Sequence, residues 1–281
     1  MALRWEKRAW TALALLFFTA TLSQPAPAQV AHEVHELEGV GIDEHPDALL
    51  PLDATFKDET GRVVKLGDYF DGRHPVILNL AYFTCPMLCG LAMSGMVDGL
   101  TELPWSPGVD FNIISISFDP LETPTLAKAK QQTYIQMYER PSAAAGWHFL
   151  TGASNEISRV TETVGFHYRW DPVQKEYAHP EALFVVTPDG HISRYLYGVE
   201  FEPRTLKLAL LEASQGKIGS TTDRILLYCY HYDPSSRGYV PLAMNIMRLS
   251  GLATVIVLLV VILPLIALER RRKHVPKAAV K

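Results

Sequence analysis

Between residues 76 and 82 the chain reads Val-Ile-Leu-Asn-Leu-Ala-Tyr, an apolar run interrupted once and too short for an ordinary helix. Such a run predicts a strand covered on both faces. Over residues 87–100 the apolar positions Met87, Leu88, Leu91, Met93, Met96, Val97 and Leu100 predict a helix, and residues 109–118 return to a buried-strand pattern. Strand, helix and strand in this order predict a β-α-β unit with a parallel pair.

The flanking segments extend the pattern. Residues 54–56 and 62–66 bracket Asp58-Glu59-Thr60-Gly61, a hairpin signal. Residues 124–139 read as a helix with Pro124 in its first turn, 147–150 as a short strand, and 154–164 as a helix capped by Ser154. Residues 182–187 and 191–197 flank Pro188-Asp189-Gly190, which predicts an antiparallel hairpin, and a last helix covers about 203–214. The fold class expected is α/β: a thioredoxin-like mixed sheet flanked by helices, in one domain over 51–216. Residues 29–50 carry little apolar pattern and read as an exposed lead-in.

The two ends place the domain. Arg4, Lys7 and Arg8 precede an uncharged apolar run from Ala9 to Leu22, and small residues at 26 and 28 suit signal peptidase, so residues 1–28 read as a cleaved signal peptide. The run is short of the about 20 residues a spanning helix needs, which makes an uncleaved anchor the weaker alternative. At the other end, residues 249–268 hold no charge and are followed by Glu269 and then Arg270-Arg271-Arg272-Lys273. This reads as a transmembrane helix over 248–268 with a cytoplasmic tail over 269–281, which puts the domain in the periplasm at the inner membrane. Residues 217–247 form a juxtamembrane segment whose aromatics, among them Tyr228, Tyr230 and Tyr232, suit the membrane interface. The ends carry +2 and +5 of a formal net charge of −4, so the exported part carries −11, which disfavours nucleic acid as a partner.

Two of the three cysteines lie in Cys85-Pro86-Met87-Leu88-Cys89, at the end of the first buried strand and the start of the helix. Reactive cysteines occur at such places. A spacing of two residues is the usual redox arrangement. Three relax the turn and let both sulfurs face one ion, without excluding redox work, because a dithiolate site must be reduced before it takes metal. Two soft thiolates and one imidazole suit Cu(I) and Cu(II), whereas structural zinc wants four protein ligands. The candidate third ligand is His179, in the loop before the strand at 182–187. His167 and His191 fall on strand or turn positions, and His32, His35 and His45 read as a solvated tether. Met87 and Met93 read as helix packing rather than thioether ligands. Cys229 with His231 could form a second relay or an ordinary juxtamembrane stretch.

The segments Tyr82-Phe83-Thr84-Cys85-Pro86-Met87-Leu88-Cys89, Ser117-Phe118-Asp119-Pro120 and Trp147-His148-Phe149-Leu150-Thr151-Gly152, with His179 nine positions before Pro188-Asp189-Gly190, together resemble the Sco/SenC family over about residues 50–215. Its members are membrane-tethered, thioredoxin-like copper proteins that help assemble the dinuclear copper site of cytochrome c oxidase. The resemblance implies copper held by Cys85, Cys89 and His179, with Asp119 as an acidic residue near the site. The partners it implies are the oxidase copper-site subunit and a periplasmic thiol reductase or copper donor. The alternative function is a thiol-disulfide reductase that keeps the client's cysteines reduced, with Cys85 and Cys89 as a redox pair. The chain departs from the family pattern at Ala178, where many members have Asp, and in carrying its anchor at the C-terminus.

Overall fold

The computed structural model describes residues 39–85, 88–215, 230–233, 238–241 and 243–273; side chains are not described at 88–89, 230–233, 238–241, 243–246 and 265–273. The elements in chain order are β1 (Gly41–Ile42), β2 (Thr55–Lys57), β3 (Val63–Lys65), β4 (Val76–Ala81), α1 (Leu88–Thr101), β5 (Asn112–Ser117), α2 (Pro124–Tyr138), β6 (Trp147–Leu150), α3 (Ser154–Thr163), β7 (Phe166–His167), β8 (Arg169–Asp171), β9 (Glu176–Ala178), β10 (Ala182–Val186), β11 (Ile192–Tyr197), α4 (Pro203–Ala213), β12 (Tyr230–Asp233), β13 (Gly238–Pro241) and α5 (Ala243–Lys273).

The central sheet has the order β11-β10-β4-β5-β6. Strands β4, β5 and β6 are parallel, and β10 runs antiparallel to both β4 and β11. This is the thioredoxin-like mixed sheet expected. Every residue of β4 and β10 is buried, because helices cover one face and helix plus hairpin the other. Ile77, Ile113, Phe149, Leu183 and Val185 face α1, α2 and α4, while Leu78, Ile114, Leu150, Phe184 and Val186 face the β2–β3 hairpin and α3.

The polar interruption in the first apolar run is satisfied internally. Asn79 donates its side-chain amide to the thioether of Met93, and Trp147 Nε1 donates to Ser115 Oγ at 3.1 Å. Buried polar groups without such partners would be strongly destabilising.

Helix α1 is positioned at both its face and its end. Gly95 and Gly99 let the strap at 199–201 run against the helix: a Cβ on Gly95 would stand 2.0 Å from the Val199 carbonyl oxygen, and one on Gly99 2.4 Å from that of Phe201. At the C-terminus, the Arg140 guanidinium donates to the carbonyls of Thr101 at 2.8 Å, Leu103 at 2.9 Å and Trp105 at 2.7 Å. It thus caps groups that a helix end leaves unpaired and adds a favourable charge to its negative pole.

Several expectations shift. The strand expected from residue 109 starts at Asn112, and Val109 is exposed. Ser154 is the first helical residue of α3 and does not cap it; the cap position is Ala153, with extended backbone and no side-chain cap. Within the stretch read as a lead-in, β1 pairs with β7, Asp43 N donates to the Gly165 carbonyl at 2.9 Å, and Leu50 is buried. Short-range patterning misses such long-range pairing. The pairs β8–β9 and β12–β13 were also not expected.

Helix α5 extends beyond 248–268 and runs through Pro264. Its window Met247–Pro264 has a mean hydropathy of 2.2 and no buried residue, so among the described residues it is the one helix long and apolar enough to cross a membrane. The signal peptide, residues 29–38, residues 217–229 with Cys229, and the tail from 274 lie outside the described residues.

Alanine normally favours a helix over glycine by about 1 kcal/mol. At Gly95 the backbone of the strap reverses that sign, so Gly95→Ala is expected to destabilise the domain by about 1–3 kcal/mol, the usual scale of overpacking. Chemical denaturation of the full chain checks this; a gain in stability would refute the close approach.

Candidate metal centre

Three loops meet at one edge of the sheet because of strand register. Parallel pairing of Ala81 with Ser117 sets the loop after β4 beside the loop after β5. Antiparallel pairing of Leu183 with Asn79 brings the start of β10, just after His179, to the same end. Loops at the carboxyl ends of parallel strands are where α/β folds build sites.

Cys85 is half-buried, and its N–H closes a turn on the Tyr82 carbonyl at 3.2 Å. The same Tyr82 presents its ring to His179, with centroids 5.7 Å apart and planes at 83°. Tyr82 thus touches both candidate ligands, Cys85 through its backbone carbonyl and His179 through its ring. Cys89 lies in the first turn of α1, with its side chain outside the described part.

His179 sits among aromatic rings. Phe118 approaches edge-on at 5.1 Å and Phe166 at 6.3 Å, and only 3% of its side chain is exposed. Burial pushes its pKa below 6.5, against opposing effects of the hydrogen bond to Pro180 and the charge of Glu176. Nδ1 lies 3.0 Å from the Pro180 carbonyl oxygen, which can only accept, so the hydrogen is assigned to Nδ1 and Nε2 keeps its lone pair. Glu181 Oε1 lies 3.6 Å from the same nitrogen. A neutral imidazole oriented by a hydrogen bond on its other nitrogen is the usual form of a metal-ligating histidine.

Asp119 plays a local part. Its Oδ1 accepts the Leu121 N–H at 2.9 Å, closing its own loop. Burial, then the charge of Asp119, raises the pKa of both Tyr168 and Tyr177. Asp119 thus faces the tyrosines that pack beside the imidazole.

Glu122, which the sequence did not single out, grips the cysteine loop. Its carboxylate accepts the N–H of Phe83 at 2.7 Å, the N–H of Thr84 at 2.7 Å, the Thr84 hydroxyl at 2.8 Å and the Ser117 hydroxyl at 2.6 Å. Only its place ahead of the Thr123-Pro124 helix start hinted at an acid in a turn.

Among the described residues, the histidines weighed as alternatives are engaged elsewhere. His167 pairs with Asp43 at 3.1 Å, His191 Nδ1 lies 2.9 Å from the Asp47 carbonyl, and His45 Nδ1 lies 3.1 Å from that of Thr163. Met93 is buried with its sulfur taken up by Asn79, which fits helix packing; Met87, His32 and His35 lie outside the described residues, as does the His231 side chain. Among the described residues no three of His, Cys, Asp and Glu gather around a point that could hold a metal, a set from which the Cys89 thiol is missing. A surface cleft of about 680 Å³ borders Glu122 and contains neither Cys85 nor His179. A metal centre needs converging donors rather than volume, so the cleft does not mark it.

The SCO1/SenC family profile matches residues 51–212, more than half of the chain. The chain is similar to the crystal structure of a candidate electron transfer protein from Aquifex aeolicus VF5, with 25% identity, a TM-score of 0.54, and coverage of 60% of this chain and 94% of that one. A candidate electron transport protein from the same organism matches at 25% identity and a TM-score of 0.50, covering 60% and 98%. Arabidopsis thaliana ScoI, crystallised with copper bound, matches at 19% identity and a TM-score of 0.45, covering 57% and 95%. No curated protein matches the chain.

The buried imidazole makes stability depend on pH. In the unfolded chain His179 takes up a proton near 6.5, whereas the buried ring does so only at lower pH. The unfolded state therefore binds more protons in that interval, and stability falls as pH falls below about 6.5. His179→Phe, which keeps an aromatic ring in the cage, is expected to remove this part of the acid-side loss. Melting curves of the metal-free protein between about pH 7.5 and 5.5 check it; equal slopes for variant and parent would refute it.

Proposed function

The chain belongs to the SCO1/SenC family, and from that premise we propose that it binds one copper ion through Cys85, Cys89 and His179 and delivers it to the dinuclear copper site of a cytochrome c oxidase subunit. The reading is carried most by the imidazole: His179 is held neutral by burial, and its Nδ1 faces the Pro180 carbonyl, which leaves Nε2 able to ligate. The donor chemistry fits the cargo, since two thiolates and a neutral imidazole suit both Cu(I) and Cu(II). Asp119 lies close enough to Tyr168 and Tyr177, which pack beside the imidazole, for its charge to raise their pKa.

Delivery proceeds by ligand exchange. Each bond to Cys85, Cys89 or His179 breaks as a bond to a client ligand forms, and the copper keeps its oxidation state. Helix α5 tethers the domain at the periplasmic face of the inner membrane, with the basic cluster at 270–273 on the cytoplasmic side. Tethering raises the effective concentration near a membrane-bound client. A copper donor and a periplasmic thiol reductase would act upstream, because the dithiol must be reduced before it takes metal.

A second reading follows from the position of Cys85 at the end of a buried strand just before α1. There the dithiol reduces a client disulfide: one thiolate attacks, the mixed disulfide is resolved by the other, and the client leaves with two thiols while Cys85 and Cys89 become a disulfide.

Even outer-shell changes at metal sites weaken binding by about 10–100-fold. Cys85→Ala and His179→Ala in the reduced full chain should each exceed that, read by competition with a Cu(I) chelator. Stoichiometric copper retained in Cys85→Ala would reject copper binding at this site. Oxidase assembly in cells carrying His179→Ala separates the two readings: loss supports delivery, and assembly at the parental level supports the reductase.

A further inference from the structure

The sheet's hydrogen-bond ladder ends before the cysteine loop begins. Its last rung there is the Phe118 N–H to the Ala81 carbonyl at 3.0 Å. The next backbone N–H groups, those of Phe83 and Thr84, both go to one side chain far away in sequence. Glu122 Oε2 accepts from Phe83 N and from the Ser117 hydroxyl, and Oε1 accepts from Thr84 N and the Thr84 hydroxyl. All four distances lie between 2.6 and 2.8 Å, the range of short charge-assisted bonds. Three of the donors belong to the two residues directly before Cys85, and the fourth anchors the carboxylate to the end of β5.

We propose that Glu122 is a positioning residue that ties the Cys85 loop to the sheet and thereby sets how firmly the dithiol holds its cargo and how readily it exchanges. The proposal rests on the copper reading for its cargo, but the tether itself is a property of the loop, whatever the dithiol carries. Asp119, three residues earlier, does not do this work, because its carboxylate closes its own turn on Leu121. Carboxylate chemistry is required: in a glutamine one acceptor oxygen becomes an NH2 group facing N–H and hydroxyl donors, so the site loses a charge and gains a donor–donor conflict. An aspartate keeps the charge but falls one methylene short.

The test compares the full chain in detergent with Glu122→Gln, Glu122→Asp and Glu156→Gln. Glu156 is a control of similar kind, a carboxylate that accepts the Thr55 N–H at 3.1 Å and pairs with Arg159, away from the cysteine loop. Three quantities are read: release of Cu(I) to a competing chelator, the equilibrium of the Cys85–Cys89 pair in a dithiothreitol buffer, and the melting temperature. Glu122→Gln is expected to release copper about tenfold faster and to shift the dithiol equilibrium at least about threefold, with Glu122→Asp in between. Glu156→Gln is expected to lower the melting temperature and leave the other two unchanged. The proposal is overturned if Glu122→Gln lowers the melting temperature as the control does while release and equilibrium stay within about twofold of the parent. Should Glu122→Gln fail to fold, Glu122→Asp is judged by the same two quantities. Should the parent take up no copper, the delivery reading falls by itself, and the dithiol equilibrium still decides the role of Glu122.

Discussion

The register between β4, β5 and β10 is the constraint on which the candidate site depends. Because Ala81 pairs with Ser117 in parallel and Leu183 with Asn79 antiparallel, the segments 82–85, 118–123 and 179–181 leave the sheet at one edge. A slip by one residue would turn Ile77, Leu78 and their neighbours to the wrong faces of a sheet covered on both sides, so the register is firmly specified by packing. Gly95 and Gly99 of α1 and the cap from Arg140 then fix the helix that begins at the dithiol. Site geometry is thus inherited from the core, and only the last few residues of each loop need their own fastening.

That fastening divides between two kinds of force. The cysteine loop is held by polar contacts, three short hydrogen bonds to one carboxylate that Ser117 in turn anchors to β5. The histidine is held by aromatic packing, with the Pro180 carbonyl and the Glu181 carboxylate near its Nδ1. Each suits its residue. Backbone N–H groups left unpaired near the core would be costly, so the loop needs acceptors. An imidazole that must remain neutral gains from a wall of rings, since desolvation disfavours its charged form.

Much of this was legible in the sequence. The β-α-β unit, the 182–197 hairpin, the helix start at Pro124 and a last helix over about 203–214 follow from apolar patterning, the Pro188-Asp189-Gly190 turn and the place of Pro124, all local signals. The dithiol and His179 are singled out by residue chemistry alone; in the structure Tyr82 meets the His179 ring with its own and takes the Cys85 N–H on its carbonyl, and Cys89 is described only in its backbone. What stayed hidden is long-range. The pairing of Gly41 and Ile42 with β7 joins residues over a hundred positions apart, and the grip of Glu122 on Phe83 spans a separation of 39. A lone glutamate in a turn carries no mark of the backbone it will meet. Ser154 failed as a cap for the opposite reason: a favourable residue type stood one position inside the helix, with Ala153 in the extended conformation a cap requires.

The two described candidate ligands are unevenly buried. His179 is almost sealed, with 3% of its side chain exposed behind Tyr82, Phe118 and Phe166, whereas Cys85 is half-buried beside a loop that follows the sheet edge. The ring thus depends on packing for its neutral form, while the cysteine depends for its position on the loop that Glu122 fastens, so a change in the aromatic wall and a change in the carboxylate should act on different ligands.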